Sequence, residues 1–414
     1  MWRKWLLRGI MVVLVLAGAS ALWAPRPAVV RAGGDSVGTD NSGVVYNGQA
    51  QDFYFDSTTN TLQHAWYAGG WHTETLDGPG ASGGNGRTSV NVGKYNSAVV
   101  FDGQLQDFYQ DTTNNVLRHA VWTGNGWFFE SLDGSGVGGG NGRNSDNTAY
   151  YNTAVIYNGQ VQDYFYDKTG GLLRHAVWGG SAWFFESLDG NGVSGGNGRT
   201  SDNVGYYASA VLYNSVVQVF YWDASGLLRH AVWGGGEWFF ESLDGNGVSG
   251  GNGRTADNVG SYNSAVVYNG QLQDFSWDMT VGVLRHAVWD GSGWFFESLD
   301  GATTVSGGNG RTADNVGPGS SAVVYNGQLQ DFYYDDNPGG LLRHAVWNGG
   351  NWFFESLDGN GVSGGNGRTS DNVGSWDSAL LYNGQVQDFY ADGTGVLRHT
   401  VWNGSTWLFE TPAQ

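Results

Sequence analysis

The segment Leu-Arg-His-Ala-Val-Trp at residues 342–347 decides the fold, because the chain of 414 residues repeats it at a nearly constant interval. The same six residues end at Trp122, Trp178, Trp233 and Trp289, and variants end at Trp66 and Trp402. The seven histidines lie 55–58 positions apart: His64, His119, His175, His230, His286, His344 and His399. A fixed period of this length is typical of repeat architectures, which bury a core only by stacking neighbouring units.

One copy, residues 321–376, has the pattern of four short strands. An apolar run over 321–325 ends at Asn326-Gly327, a strong signal for a tight hairpin turn. A second strand over 328–335, a third over 341–347 and a fourth over 351–357 follow. The remainder, 358–375, is a glycine-rich connector that is too long for a hairpin. The copy therefore predicts a four-stranded antiparallel sheet.

Seven such sheets fit a closed ring. We expect an all-β fold, a seven-bladed β-propeller of four-stranded antiparallel blades, since propellers have four to eight blades. The predicted propeller covers 43–414, with copies starting near 43, 97, 153, 209, 264, 321 and 378. We expect blade seven to pack on blade one without a shared strand. Residues 33–42 are expected to be a leader or a short edge strand.

Residues 1–32 have the pattern of a secretion signal: basic residues at the start, an apolar run over 10–22, and small residues for cleavage after Ala21 or Ala32. An uncleaved N-terminal anchor is the alternative, although the apolar run is short for a membrane span. We expect a secreted, extracellular protein with no membrane insertion after signal cleavage.

Charge and composition exclude several classes of partner. The chain has 38 acidic and 19 basic residues, and removal of 1–32 leaves 14 basic residues and a net charge of −24. Sequence-independent nucleic-acid binding requires a cationic face, so it is not expected. The chain has no cysteine, which excludes disulfides and thiolate metal sites.

The repeated unit resembles the repeats of bacterial seven-bladed β-propeller lectins that bind fucose. The resemblance rests on the order Ser-Ala-Val-Val-Tyr-Asn-Gly (321–327), Gln-Leu-Gln-Asp-Phe (328–332), Leu-Leu-Arg-His-Ala-Val-Trp (341–347) and Trp-Phe-Phe-Glu-Ser-Leu-Asp-Gly (352–359). It covers nearly all of the chain after 32 and implies a propeller that binds sugars. The sequence departs from the family in its longer glycine-rich connectors and in Arg-His-Ala, where the family often has an aromatic residue before the histidine.

Two tryptophans, an arginine and a glutamate recur around the third hairpin and form the predicted carbohydrate sites. An indole face packs well against sugar C–H groups, and arginine and glutamate suit vicinal hydroxyls. The alternatives are packing between blades for the rings and structural ion pairs for the charges. The predicted residues are Arg118, Trp122, Trp127 and Glu130; Arg174, Trp178, Trp183 and Glu186; Arg229, Trp233, Trp238 and Glu241; Arg285, Trp289, Trp294 and Glu297; Arg343, Trp347, Trp352 and Glu355; and Arg398, Trp402, Trp407 and Glu410. In the first copy the pair is read as Trp66 and Trp71, with Gln63 in place of the arginine.

A second acidic series, Asp52, Asp107, Asp163, Asp274, Asp331 and Asp388, is replaced by Val219 in the fourth copy. If all sites bind ligand, blade one, which has Gln63 in place of the arginine, and blade four, which has Val219, are expected to bind most weakly. No cofactor is expected, because the connectors match no calcium-binding repeat; calcium is the alternative that their Asp and Asn residues leave open.

The sequence favours a multivalent carbohydrate-binding protein whose partners are glycans on cell surfaces or polysaccharides. No unique catalytic set stands out, so we do not expect an enzyme. A glycoside-processing propeller enzyme and a secreted scaffold or adhesion module without a small ligand remain the alternatives.

Overall fold

A computed structural model describes residues 37–413 except 82, 194, 249, 303–304, 306–307, 337–339 and 363. The predicted secretion signal lies outside the described residues. Strands are numbered in chain order. The first strands of the seven sheets are β1 (Val37–Tyr46), β5 (Val92–Phe101), β9 (Tyr150–Tyr157), β13 (Val204–Tyr213), β17 (Val259–Tyr268), β21 (Ser321–Tyr325) and β25 (Val373–Tyr382).

The remaining strands follow in the same order. The second strands are β2 (Gln49–Asp56), β6 (Gln104–Asp111), β10 (Gln160–Asp167), β14 (Val216–Asp223), β18 (Gln271–Asp278), β22 (Gln328–Asp335) and β26 (Gln385–Asp392). The third strands are β3 (Thr61–Tyr67), β7 (Val116–Trp122), β11 (Leu172–Trp178), β15 (Leu227–Trp233), β19 (Val283–Trp289), β23 (Leu341–Trp347) and β27 (Val396–Trp402). The fourth strands are β4 (Trp71–Asp77), β8 (Trp127–Gly134), β12 (Trp183–Gly190), β16 (Trp238–Gly245), β20 (Trp294–Asp300), β24 (Trp352–Gly359) and β28 (Trp407–Ala413).

The seven-bladed propeller predicted from the repeat is confirmed. Each sheet contains four consecutive antiparallel strands, and the first strands of neighbouring blades contact one another around the ring, including β25 with β1. No strand is shared between blades one and seven, so the ring closes by packing, as expected. Residues 37–42 form the first part of β1. No helix among the described residues is long and apolar enough to cross a membrane.

The core lies between blades. Successive side chains of a strand point to opposite faces, so a blade with two apolar faces must contact a neighbour on each side. Phe53 of β2 meets Trp127 of the next blade edge-on, with ring centroids 5.7 Å apart, whereas Tyr54 packs in the layer shared with blade seven. The apolar clusters accordingly combine residues of two adjacent blades.

A ring of hydroxyl hydrogen bonds joins the first strands. Ser42 Oγ accepts a hydrogen bond from the Ala98 amide of the next blade at 2.8 Å, and Ser378 Oγ accepts from the Gly43 amide at 2.7 Å. The same contact occurs at every junction between these two, with Ser97, Thr153, Ser209, Ser264 and Ser321 as acceptors. These bonds fix the spacing of the blades, and hence the width of the clefts between them.

The glycine-rich connectors are straps that run over the outer strand of the blade that follows. The backbone carbonyl of Asn85 accepts a hydrogen bond from the Phe129 amide at 2.8 Å, and its side-chain Nδ2 donates to the Trp127 carbonyl at 3.2 Å. Arg87 lies 4.7 Å over the Phe129 ring. Gly86 contacts the Phe129 carbonyl so closely that a Cβ would overlap it. The connectors therefore use their Asn, Gly and Arg residues to join blades.

Candidate functional site

A cleft of about 290 Å³ opens between blades one and two near the tip of the third hairpin. Strand alternation places His64 and Trp66 of β3 on its first wall, and Trp122 and Trp127 on the facing wall. Glu74 of β4 lies between them. The tryptophans and the glutamate of the predicted site thus meet across a junction between two blades.

The Glu74 carboxylate is held in place from both walls. Its Oε1 lies 3.1 Å from His64 Nδ1 and accepts a hydrogen bond from Trp127 Nε1 at 3.1 Å. Burial alone would raise the pKa of Glu74, but the hydrogen bonds of His64 and Trp127 outweigh it and the pKa is lowered. The carboxylate is ionised at neutral pH, and 41% of the side chain stays exposed, so a second oxygen remains for a ligand.

The histidine is the positioning group of this arrangement. Burial lowers the pKa of His64 against the opposing effect of Glu74, and the ring lies within hydrogen-bond distance of that carboxylate. Its other nitrogen, Nε2, lies 2.7 Å from Gln51 Oε1. Gln51 was not among the predicted site residues, although a glutamine occupies the same position in all seven copies of the repeat.

The same contacts recur around the ring. A histidine lies 2.8–3.1 Å from a glutamate in all seven blades. An indole Nε1 donates to the glutamate of the preceding blade at 2.7–3.3 Å from Trp71, Trp127, Trp183, Trp294, Trp352 and Trp407. Hydrogen bonding to histidine also lowers the pKa of Glu130, Glu186, Glu241, Glu297 and Glu355 against burial. The arrangement of histidine, glutamate and indole seen beside the first cleft therefore recurs at the other junctions between blades.

The two tryptophans of each pair have different environments. Trp127, Trp183, Trp238, Trp294, Trp352 and Trp407 are 3–6% exposed and pack in the inter-blade core. Trp122, Trp178, Trp233, Trp289, Trp347 and Trp402 are partly exposed. In blade two the rings are 5.5 Å apart and tilted by 59°. In blades two to seven, only the first tryptophan of a pair offers an open surface.

The arginines lie away from the clefts. Arg118 shares a strand face with Trp122 but lies four residues earlier, about 13 Å at the usual rise of a strand. It is 5% exposed and pairs with Asp77 of the preceding blade at 2.9 Å. The other arginines, Arg174, Arg229, Arg285, Arg343 and Arg398, make equivalent pairs at 2.5–2.9 Å. The structure thus does not bring the predicted arginines together with the tryptophans and glutamates.

The first blade differs in register from the sequence interpretation. Tyr67, not Trp66, pairs with Trp71, with ring centroids 5.5 Å apart. Trp66 occupies the position of Val121 and stacks between His64 and His72, at 5.2 and 5.3 Å. The cleft between blades one and two therefore has an indole where the corresponding position of blade two has valine. Weak binding by blade one was expected from the missing arginine at Gln63, and that reason no longer applies.

The aspartates of the second acidic series are more deeply buried than the glutamates beside the cleft. Both carboxyl oxygens of Asp52, Asp107, Asp163, Asp274, Asp331 and Asp388 are buried and have no hydrogen-bond partner among the described residues. They are outside the cleft. Within the same described part of the chain, no group of three or more His, Asp or Glu side chains is arranged to hold a metal ion.

The sequence matches no protein-family model and no curated protein. In structure the chain is similar to the fucose-recognising lectin of Aleuria aurantia, a six-bladed β-propeller (13% identity, 91% of this chain and 95% of that chain covered, TM-score 0.45). It is also similar to the SapL1 lectin in complex with α-methyl fucoside (15%, 78% and 95%, 0.46) and to a protein of unknown function from Dyadobacter fermentans (12%, 79% and 99%, 0.48). These likenesses concern the fold alone.

Proposed function

We propose that the protein is a secreted, multivalent carbohydrate-binding protein whose sites are the clefts between adjacent blades. The observation that supports this most directly is the cleft of blades one and two. There the partly exposed Trp122 lies opposite a glutamate that is ionised and fixed by His64 and Trp127. An apolar ring beside a fixed acceptor is the combination that a polyol requires.

The exposure of each side chain indicates whether it contacts the sugar or positions a group that does. The indole of Trp122 packs against the C–H face of a sugar ring, while the free oxygen of Glu74 accepts hydrogen bonds from hydroxyl groups. Trp127 and His64 act through Glu74 by holding its other oxygen. The arginines stabilise the junctions between blades and are not part of the proposed site.

The presence of several equivalent sites on one molecule would give the protein its avidity. A shallow cleft of this kind binds with a dissociation constant of roughly millimolar to micromolar. Several clefts that engage one glycan-coated surface raise the apparent affinity without any new contact. Export rests on the pattern of residues 1–32, and the N-terminal sequence of protein recovered from culture medium tests it.

A glycan array with matched variants tests the proposal. Trp347→Ala removes one open indole and Glu297→Gln removes one cleft charge, and each should lower avidity only partly because the other clefts remain. Glu237→Gln is the control, since it makes the same chemical change on an exposed turn. The partly exposed tryptophan is preferred over Trp352, whose truncation would also remove core packing.

Binding should be read both on the array and as a sugar-induced shift in melting temperature. Flat responses of the unmodified protein in both measurements would contradict a carbohydrate ligand. Complete loss of binding on Trp347→Ala, with the melting temperature kept, would contradict repeated equivalent sites.

A further inference from the structure

The inner strands bulge toward the axis of the ring at one equivalent position per blade. The bulge residue has a positive φ, from 52° to 62° in Tyr95, Tyr151, Tyr207, Tyr262 and Trp376. Positive φ is rare for bulky residues, so an aromatic side chain is held in an unfavourable backbone conformation in five blades. Unfavourable conformations of this kind are concentrated at ligand-binding sites.

These aromatic rings form the wall of an axial chamber of about 190 Å³. Tyr95 and Tyr151 are 4.7 Å apart between ring centroids, and Tyr207 lies 4.3 Å from both Tyr151 and Tyr262. In blade one the equivalent residue is Asp40, with φ 56°. The chamber is separate from the inter-blade clefts, and its lining comes from all seven blades.

Asparagines that follow the bulge residues line the same chamber. Asn96 Nδ2 donates to the Asp40 carbonyl at 2.8 Å, and Asn152 Nδ2 donates to the Tyr95 carbonyl at 2.8 Å. The amide nitrogens are thus used between blades. The oxygens at the other end, Oδ1 of Asn41, Asn96, Asn152 and Asn263, are buried and have no partner in the described part of the chain.

Asp40 adds a carboxylate to this set. It is 6% exposed, and its Oδ1 has no hydrogen-bond partner among the described residues. Burial raises the pKa of Asp40 to about 6, and Lys94 offsets part of that effect. Burial is the largest cause of the raised pKa values of Tyr95 in the next blade and of Tyr262 across the ring in blade five, and the charge of Asp40 adds to both. Asp40 lines the axial chamber together with these tyrosines. Both carboxyl oxygens of Asp377 in blade seven are also buried and have no hydrogen-bond partner among the residues that the structure describes.

We propose that the axial chamber binds the primary ammonium group of a small amine. The unpartnered polar atoms named above are all oxygens, and the three N–H groups of an ammonium ion donate to three of them. The surrounding tyrosine and tryptophan rings accommodate a cation and its carbon atoms. A volume near 190 Å³ admits an alkylammonium ion of a few carbon atoms.

Titration with ethylammonium chloride, read by tryptophan fluorescence and by melting temperature, tests the proposal. Ethylammonium should shift both readouts well beyond an equal concentration of sodium chloride. Tetramethylammonium carries the same charge without N–H donors and should be at least tenfold weaker. An equal response to sodium or to tetramethylammonium would overturn the proposal, and so would tighter binding of calcium.

Asp40→Asn should abolish the ethylammonium response while the protein stays folded, because it removes a buried charge and asparagine tolerates positive φ. Asp102→Asn is the matched control: it lies on an exposed hairpin turn where other blades have asparagine, and it should respond like the unmodified protein. An Asp40→Asn protein that retains the response would place the amine elsewhere. Glycan binding should be unchanged by either variant, so this site and the clefts are tested separately.

Discussion

Asp163 belongs to a series of six aspartates that are fully buried without hydrogen-bonded side-chain oxygens among the described residues. Burial raises the pKa of Asp163 well above its usual value. A carboxyl whose pKa is higher in the folded state binds protons more tightly there. Its presence costs stability as the pH rises above the unfolded value of 3.8, up to the folded value.

Asp163→Asn should therefore stabilise the protein at neutral pH by about 1–3 kcal/mol, because asparagine keeps the shape of the side chain and removes the free energy of protonating the carboxyl on folding. The gain should shrink as the pH falls toward 4 and vanish only below the unfolded value of 3.8, where the aspartate is protonated in both states. Val219→Asp is the mirror change, because blade four has valine at this position. It should destabilise the protein at pH 7 more than at pH 4.

Free energies of unfolding from urea titrations between pH 4 and pH 8 measure both effects. A stability difference between Asp163→Asn and the unmodified protein that does not change with pH would show that the carboxyl is not neutral in the fold. Asp102→Asn, on an exposed turn, supplies the baseline.

The candidate site could be predicted from the sequence only in part. Strand alternation fixes which face a residue occupies, and it correctly separates Arg343 from His344. It does not fix depth, so Arg118 and Trp122 share a face while only Trp122 reaches the cleft. Which tryptophan of a pair is open could not be predicted either, because both are the same residue type and their exposure depends on the neighbouring blade.

The connector between blades two and three illustrates a contact that no local pattern reveals. Asn141 accepts a hydrogen bond from the Phe185 amide at 2.8 Å, and Arg143 lies 4.9 Å over the Phe185 ring. The partner is more than forty residues away and on another blade. The composition of the connector resembled an ion-binding loop, whereas its glycines permit close approach to the outer strand.

Gly142→Ala should destabilise the protein by about 1–3 kcal/mol, within the usual range for single substitutions. Gly142 has φ 80°, and an added Cβ would overlap the Phe185 carbonyl. Gly138→Ala is the control in the same connector, since Gly138 has no atom within 4 Å of the added Cβ and does not have a positive φ. It should change stability by no more than about 0.5 kcal/mol.

Thermal unfolding of the two variants measures the difference, and hydrogen exchange of the β12 amides locates it. Exchange should accelerate in β12 on Gly142→Ala and stay unchanged on Gly138→Ala. Equal melting temperatures for the two variants would mean that the strap does not stabilise the outer strand.

The strand positions predicted from the local sequence agree closely with those of the structure. Asn326-Gly327 places the first hairpin, and the predicted third strand over 341–347 matches β23. The first strands extend further back than predicted in most blades, to Val92 rather than 97 in blade two. The period of two breaks there at the bulge of Tyr95, whose positive φ shifts the register between Lys94 and Ser97. A prediction that relies on the alternation of apolar and polar residues therefore begins the strand only after this bulge.

Two absences in the sequence identify the junction that closes the ring. The arginine series is missing in blade one, at Gln63, and the aspartate that pairs with it is missing in blade seven, where Ala413 lies opposite Leu397 as Asp358 lies opposite Leu342. Each arginine pairs with the aspartate of the preceding blade, so the two gaps fall at one junction. The coincidence is a signal in the sequence that points to inter-blade pairing, and it is visible once the series are compared cyclically.

Gln63→Arg should destabilise the protein by about 3–5 kcal/mol, because it buries a charge without its partner. Adding Ala413→Asp should recover a large part of that loss by completing a seventh ion pair. The surroundings for the pair are present in blade one: Tyr54 takes the place of Tyr109 opposite residue 63, and Thr75 takes the place of Ser131.

A double-mutant cycle measured by urea unfolding isolates the interaction between the two new residues. Ala413→Asp alone is the second single variant of the cycle, and Ala413→Asn gives the same shape without charge. A favourable coupling energy that disappears with Ala413→Asn would establish the closing junction as equivalent in geometry to the other six. Additive effects of the two substitutions would mean that blades seven and one meet differently from their neighbours, and that packing and the hydrogen bonds of Ser378 and Glu410 hold the seam without an ion pair.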